Sequence, residues 1–250
     1  MPPAADTPAF AVTGPRIVIT IGVHGSASTW VFNVARELMI AAFGAEQVLT
    51  FFSDNPAEVI GKRELLGRRA VWKSHHGGPN WDVFAWLSGA RVVLSVRDPR
   101  DAALSLVERF GMELGPALKG IGDDCRRALQ CAAAGCPVLR YEDHYFEEPA
   151  TVAHLARAIG VEVSAATCAR IFDTYRTDAV RAFAAGLEGL PDERRSGSPG
   201  NFLHDRVTQI HHTHIGDGRV GKWRERIDPA QHAQVTAFFA PFLQRFGYSQ

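Results

Sequence analysis

Ile17-Val18-Ile19-Thr20-Ile21-Gly22-Val23-His24-Gly25-Ser26-Ala27-Ser28-Thr29-Trp30 runs from a β-branched stretch through small residues and hydroxyls into helical periodicity. The continuous apolar run Arg16 to Gly22 predicts a strand buried on both faces, as in a parallel sheet. Behind it, Val31, Val34, Leu38 and Ala41 recur at helical spacing and predict a helix over Thr29 to Ala42. A helix start offers free backbone N–H groups and a partial positive charge, so it suits a phosphate. The pattern occurs again at Val92-Val93-Leu94-Ser95-Val96-Arg97-Asp98-Pro99-Arg100-Asp101, with Ser105 eight residues after Arg97. There Asp98 is placed to cap a helix whose first residue is Pro99, with Asp101 in its first turn. Two such starts imply a ligand with two separate phosphate positions.

Outward from these stretches, strands and helices alternate. Gln47 to Phe52, Ala70 to Lys73, Ala90 to Val96 and Pro137 to Tyr141 read as further strands. Asn55 can cap a short helix with Pro56 at its first position. Helices fit Pro116 to Ala134, Ala150 to Ile159 and Ser164 to Ala184, and Asp228 to Phe246 reads as one closing helix. Residues 1–14 form a Pro/Ala tail expected to be flexible. Residues 186–221 are rich in Gly, Ser, Pro, His and Arg, and a loop of that length predicts a lid. The pattern is that of one α/β domain, 15–250, with a central parallel sheet of about four or five strands. Ligands on such sheets sit at the carboxyl ends of the strands, where both leading stretches fall.

Composition bounds the chemistry. With 250 residues, 46% hydrophobic and 22% charged, the chain matches an ordinary globular domain. Lys+Arg and Asp+Glu are both 27, so nothing favours a nucleic-acid or anionic membrane partner, and any positive site is local. The N-terminus lacks the regions of a signal peptide, and the apolar stretch Trp30 to Phe43 is too short and too charged to span a bilayer. A cytoplasmic protein is the expectation. Cys125, Cys131, Cys136 and Cys168 form no C-x-x-C pair and read as reduced thiols.

The loop Gly22 to Thr29 lets backbone amides approach an anion and adds the hydroxyls of Ser26, Ser28 and Thr29. It lacks the Gly-Lys-[Ser/Thr] of a Walker A loop. Taken alone it is as consistent with an ordinary strand–helix turn. Taken with the rest, the chain resembles the sulfotransferases that use 3′-phosphoadenosine 5′-phosphosulfate (PAPS). Their loop Tyr-Pro-Lys-Ser-Gly-Thr-Thr-Trp corresponds to Val23 through Trp30. The resemblance makes Gly25, Ser26, Ala27, Ser28, Thr29 and Trp30 the cradle of the 5′-phosphosulfate. Gly25 stands where the family has its lysine, which neutralises charge on the bridging oxygen as sulfate leaves.

The resemblance assigns the 3′-phosphate to Arg97 and Ser105. Ser105 lies roughly 10 Å into its helix, so spacing alone does not bring the two together. In Val71-Trp72-Lys73-Ser74-His75 the resemblance is to a strand followed by Lys-Thr-His. It implies His75 as the base that deprotonates the acceptor and Lys73 as the stabiliser of the transferring group, covering part of the role lost at Gly25. A histidine suits that task because its pKa lies near neutrality. Tyr141, in Leu139-Arg140-Tyr141-Glu142-Asp143, inherits a contact to adenosine. Phe172 lies near the family's adenine-stacking Phe, with a core aromatic as the other reading. Gly216-Asp217-Gly218-Arg219-Val220-Gly221-Lys222-Trp223 resembles Arg-Lys-Gly-x-x-Gly-Asp-Trp. Gly218 matches there. Arg219 and Lys222 are the candidates to replace the missing Arg-Lys pair at the 3′-phosphate.

Trp72, Trp81, Trp86 and Phe84 surround the proposed base and read either as an acceptor pocket or as core. His204, His211, His212 and His214 read as a solvated loop or an acceptor contact rather than as a metal site. The resemblance implies a nucleotide-kinase-like fold and transfer of a sulfuryl group from PAPS, leaving PAP, to a small-molecule or glycan hydroxyl, without a metal. An ATP-dependent phosphotransferase of related fold and a catalytically decayed nucleotide-binding relative are the alternatives.

Overall fold

The computed structural model describes residues 14–197 and 202–249, so nearly all of the N-terminal tail lies outside the described residues. The chain forms β1 (Ile17–Gly22), α1 (Ser28–Phe43), β2 (Val48–Phe52), α2 (Pro56–Ile60), β3 (Arg69–Ser74), α3 (Trp81–Leu87), β4 (Arg91–Val96), α4 (Pro99–Phe110), α5 (Leu114–Ala133) and β5 (Val138–Arg140). There follow α6 (Ala150–Ile159), α7 (Ala165–Tyr175), α8 (Thr177–Ala185), a two-residue pair β6 (Arg195–Ser196) and β7 (His204–Asp205), then α9 (Trp223–Arg226), α10 (His232–Phe238) and α11 (Ala240–Phe246).

The five long strands make one parallel sheet in the order β2-β3-β1-β4-β5. Alternation along β1 sends Val18 to one face and Ile19 and Ile21 to the other. Each face has its own core. Ile19, Ile21, Trp72, Leu94 and Val96 pack under α4, α5 and the C-terminal helices. Val18, Val71, Val93 and Leu139 pack under α1, α6 and α7. Burial on both faces is why these strands read as continuous apolar runs.

Register positions the site. Ile21 lies opposite Ser74, Gly22 opposite Ser95, and Val96 opposite Arg140. Four strands therefore end level, and the turns after them emerge along one edge. The connection after β1 crosses to one side of the sheet and that after β4 to the other, so the crevice between them is the switch point where ligands bind. Gly22 is required there: a Cβ would lie 2.3 Å from Ser28 Cβ and 2.5 Å from Ser95 Oγ.

Helix capping follows the sequence at α2 and α4. Asn55 accepts a hydrogen bond from the Ala57 N–H, and Asp98 from the Arg100 N–H. Two helices differ from expectation. The segment 164–184 breaks into α7 and α8 at Arg176, which is extended at ψ 154°. The break leaves the Tyr175 hydroxyl in contact with Arg36 at 2.7 Å. The closing helix breaks at Phe239 because Pro241 cannot donate within a continuous helix and clashes with the preceding turn. Cys125, Cys131, Cys136 and Cys168 are free thiols.

Candidate active site

The turns at the strand ends enclose a cavity of about 860 Å³. Its floor is the start of α1. Ala27 precedes that helix in the left-handed conformation (φ 58°), no side chain caps it, and its first turn holds no acid. Its free N–H groups and positive end are left for an anion. Ser28, Thr29 and Trp30 line the cavity with Gly25 and Ala27. Ser26 does not line it. Its hydroxyl bonds Ser95 Oγ at 2.9 Å, and its carbonyl accepts from the Tyr145 hydroxyl, so Ser26 ties the loop to β4 and to the turn after β5.

Arg97 reaches this loop. Its Nη1 donates to the Gly25 carbonyl at 3.0 Å and its Nη2 to the Arg219 carbonyl at 2.9 Å. Its guanidinium lies 4.1 Å over the Tyr141 ring. Ser105 flanks the same spot: a Cβ on Gly25 would lie 3.3 Å from Ser105 Cβ. Arg97, Ser105, Tyr141 and Gly218 all line the cavity, and the Tyr141 hydroxyl donates to the Gly218 carbonyl at 3.3 Å. The buried Arg97 Nε has no hydrogen-bond partner among the described residues. An orphaned guanidinium N–H beside a glycine turn suits a phosphate.

Lys73 enters from the end of β3. Its buried Nζ donates to Thr29 Oγ1 at 2.7 Å. Burial, with the charge of Arg109, pushes the ammonium down to about 7, against the opposing pull of Asp54. His75 Nδ1 lies 2.6 Å from the Gly22 carbonyl. A carbonyl only accepts, so Nδ1 carries the proton and Nε2 is the free base. Burial, then His24 and Lys73, holds this imidazole well below its ordinary pKa. It is therefore neutral around pH 7. Asp54 pins the turn by accepting from the Ser74 hydroxyl and the His75 and His76 N–H groups at 2.6–2.9 Å.

His24 stacks on His75 with ring centroids 3.6 Å apart. The wholly buried Asp124 carboxylate receives His24 Nδ1 at 2.7 Å and the His24 N–H at 2.8 Å. Its other oxygen lies 2.8 Å from His76 Nδ1. Burial would raise the Asp124 pKa, but the charge and hydrogen bond of His24, with His76 paired at 2.8 Å and His75 nearby, hold it well below the carboxylate range. His24, His75 and Asp124 place potential metal-ligand atoms within 4.8 Å of one another. The two rings stack at an interplanar angle of 20°, so their in-plane lone pairs lie in separate, near-parallel planes, and both Nδ1 atoms are engaged. The arrangement suits hydrogen bonding better than ligation.

Of the segment expected to be a lid, residues 198–201 lie outside the described residues, and the part from Phe202 to Gly218 lines the cavity. The buried Asp205 carboxylate anchors it, taking Arg194 and the Thr208 hydroxyl at 2.6 Å. Asn33 on α1 donates to the Thr208 carbonyl at 2.8 Å. His204, His211 and His214 line the cavity rather than facing solvent, as do Phe52, Phe110, Phe146 and Phe202.

Several expected residues sit elsewhere. Phe172 packs against the core under α1 and does not line the cavity; Tyr175 and Val180 do. Trp72 and Trp81 are buried in the other core, while Trp86 is 79% exposed. Arg219 offers its carbonyl to Arg97, but its exposed guanidinium pairs with Glu225 at 2.7 Å. Lys222 is buried at the cavity wall, where its ammonium is held by Glu108 and Asp217. Neither side chain has its charge free for a ligand. Sequence reasoning missed Asp54, Asp124, Tyr145 and Arg109, whose partners lie far away along the chain.

No protein-family model matches the chain, and no curated protein matches it by sequence. Among the described residues no helix is long and apolar enough to cross a membrane. Solved structures do match. Mouse sulfotransferase SULT7A1 complexed with PAP superposes with a TM-score of 0.60 at 13% identity, over 91% of this chain and 84% of that one. Retinol dehydratase in complex with retinol and PAP gives 0.56 at 13% identity, over 92% and 82%. The same enzyme with androsterone and PAP gives 0.54 at 15% identity, over 92% and 81%. The chain has the fold of these PAP-complexed sulfotransferases.

Proposed function

We propose that this protein transfers a sulfuryl group from PAPS to a hydroxyl on a small molecule. One observation carries the reading: Arg97 Nη1 lies 3.0 Å from the Gly25 carbonyl, so the two phosphate-suited turns share one cavity. The 5′-phosphosulfate fits the uncapped start of α1 with Thr29 and Lys73, and the 3′-phosphate fits Arg97 and Ser105. Tyr141 lies under Arg97 for the adenosine. PAPS supplies a sulfuryl group on a good leaving phosphate. His75 Nε2 accepts the acceptor's hydroxyl proton as its oxygen bonds to sulfur. The bond from sulfur to the 5′-phosphate oxygen breaks, and Lys73 offsets the charge left on that oxygen. Positioning and preorganised charge supply the catalysis. The aromatic wall, and the retinol and androsterone bound with PAP in the retinol dehydratase structures, favour a small molecule over a polymer.

Titration calorimetry with PAP and with ATP, followed by transfer of labelled sulfate from PAPS, tests this. The reading expects micromolar or tighter PAP, at least tenfold weaker ATP, and labelled product. Preference for ATP would assign a phosphotransferase. PAP binding without turnover across a broad acceptor panel would assign a catalytically decayed binder.

A further inference from the structure

Besides Lys73 and Arg97, the cavity wall carries a cation with no acid partner among the described residues. Lys73 faces the α1 loop and Arg97 the far turn, and neither pairs with an acid among the described residues. Arg109 is a third such cation, and Arg181, exposed at the cavity rim, is a fourth. Arg109 lies one helical turn beyond Ser105 on α4, on the same cavity-lining face. Its Nη2 meets only His211 Nε2, at 2.6 Å, and its buried Nε has no partner among the described residues. Its guanidinium lies 5.1 Å from the Phe110 ring. His211 Nδ1 is engaged by Thr213 Oγ1 at 3.0 Å, and its ring packs on Phe202 and His214. Arg109 is thus built into the aromatic and imidazole wall, within electrostatic reach of Lys73 and Arg97.

The acids near the cavity do not neutralise it. Glu108 and Asp217 are held by Lys222, and Glu147 lies beside His144 at the adenosine end. The imidazoles do not either: burial keeps His211 and His214 well below their ordinary pKa, so both are neutral. A partly buried guanidinium on a cavity wall with no acid paired with it is stabilised by an anion that completes it. Its planar fork suits a carboxylate or sulfate bidentately.

We infer that the hydroxyl acceptor carries an oxyanion, a carboxylate or a sulfate, which Arg109 receives opposite the hydroxyl held at His75. The inference rests on the sulfotransferase reading. It differs from what a purely apolar wall would select, since Phe52, Phe110 and Phe202 would then favour the neutral molecule.

The test is calorimetry on the PAP-saturated protein, with matched pairs on phenol, steroid and sugar scaffolds. One arm compares each carboxylate with its methyl ester, and the other each monosulfate with its unsulfated parent. Expected is at least a tenfold preference for the anion in one arm, falling below threefold in Arg109→Met and partly retained in Arg109→Lys. PAP must still bind each variant, which reports an intact donor site. No anion preference on any scaffold overturns the inference. So does a preference that survives Arg109→Met, or an Arg109→Met loss that is equal for anion and neutral partner, which would put Arg109 on the donor. Failure of wild-type protein to bind PAP instead overturns the sulfotransferase reading itself.

Discussion

The ammonium of Lys73 lies 2.7 Å from the hydroxyl of Thr29, a bond from the end of β3 to the first turn of α1. It brings a cation to the loop whose own cation is absent at Gly25. In the proposed reaction Lys73 meets charge that grows as the leaving phosphate departs, where such stabilisation counts most. Lys73→Met should lower kcat by about 10²–10³-fold, with a smaller loss of PAP affinity. Equal loss in both would assign Lys73 to binding alone.

Burial gives that ammonium a second, measurable property. At about 7 in the free protein, Lys73 is half-charged at neutral pH. An anion favours the charged form, so PAP binding above pH 7 should take up a proton. The wild-type advantage over Lys73→Met should then shrink as pH rises from 7 to 9, by up to about tenfold per unit. Calorimetry in two buffers of different ionisation enthalpy reads the proton directly. An identical pH dependence in wild type and variant would refute the assignment.

His75 donates through Nδ1 to the Gly22 carbonyl, which leaves Nε2 for the acceptor. His75→Asn preserves part of the side chain's volume and removes the base. It should cut turnover by about 10²–10⁴-fold while leaving PAP affinity within threefold. A variant retaining a tenth of the activity would move the base to His24 or His76.

What the chain disclosed of this site divides by distance along it. The strands, the Asp98 cap and the Pro56 and Pro99 helix starts are local signals, and they emerged as expected. Arg97 and Ser105 needed the resemblance, since only the fold brings a helix's second turn beside Gly25. The break at Pro241 was written in the sequence; the break at Arg176 was not, because neither glycine nor proline marks it. Asp124 lies 100 residues from His24 and carries no motif. Arg109 looks like a routine cation in a helix's last turn. Its meaning appears only when the His-rich segment closes over it.

Gly25 occupies the position of the missing lysine in the left-handed region at φ 75°. Restoring the lysine is therefore not a simple gain. A side chain there is strained by roughly 1–2 kcal/mol, and its Cβ would press on Ser105. Gly25→Lys should be less stable than wild type and bind PAP more weakly. Tighter PAP with unchanged stability would mean that the loop adapts and that the lysine's loss is a true functional decay.

Asp124 holds His24 and His76 from a fully buried position, and its ion pair with His76 raises the His76 pKa. A raised histidine pKa adds stability that is full below its unfolded value, near 6.5, and is lost as pH rises through the folded value. Asp124 also opposes the low pKa of His75 by favouring its charged form. The raised His76 pKa makes the carboxylate worth more at pH 6 than at pH 8; His75, neutral in the folded protein, adds nothing to the difference. Asp124→Asn should destabilise the protein at both values, and more at pH 6, in urea unfolding. Nuclear magnetic resonance titration of the ring protons should show the His76 pKa falling back towards its ordinary value. His24 would lose the partner that orients its ring on His75, so turnover should fall with PAP affinity intact. Equal destabilisation at the two pH values would mean that Asp124 packs beside these imidazoles without holding their charge.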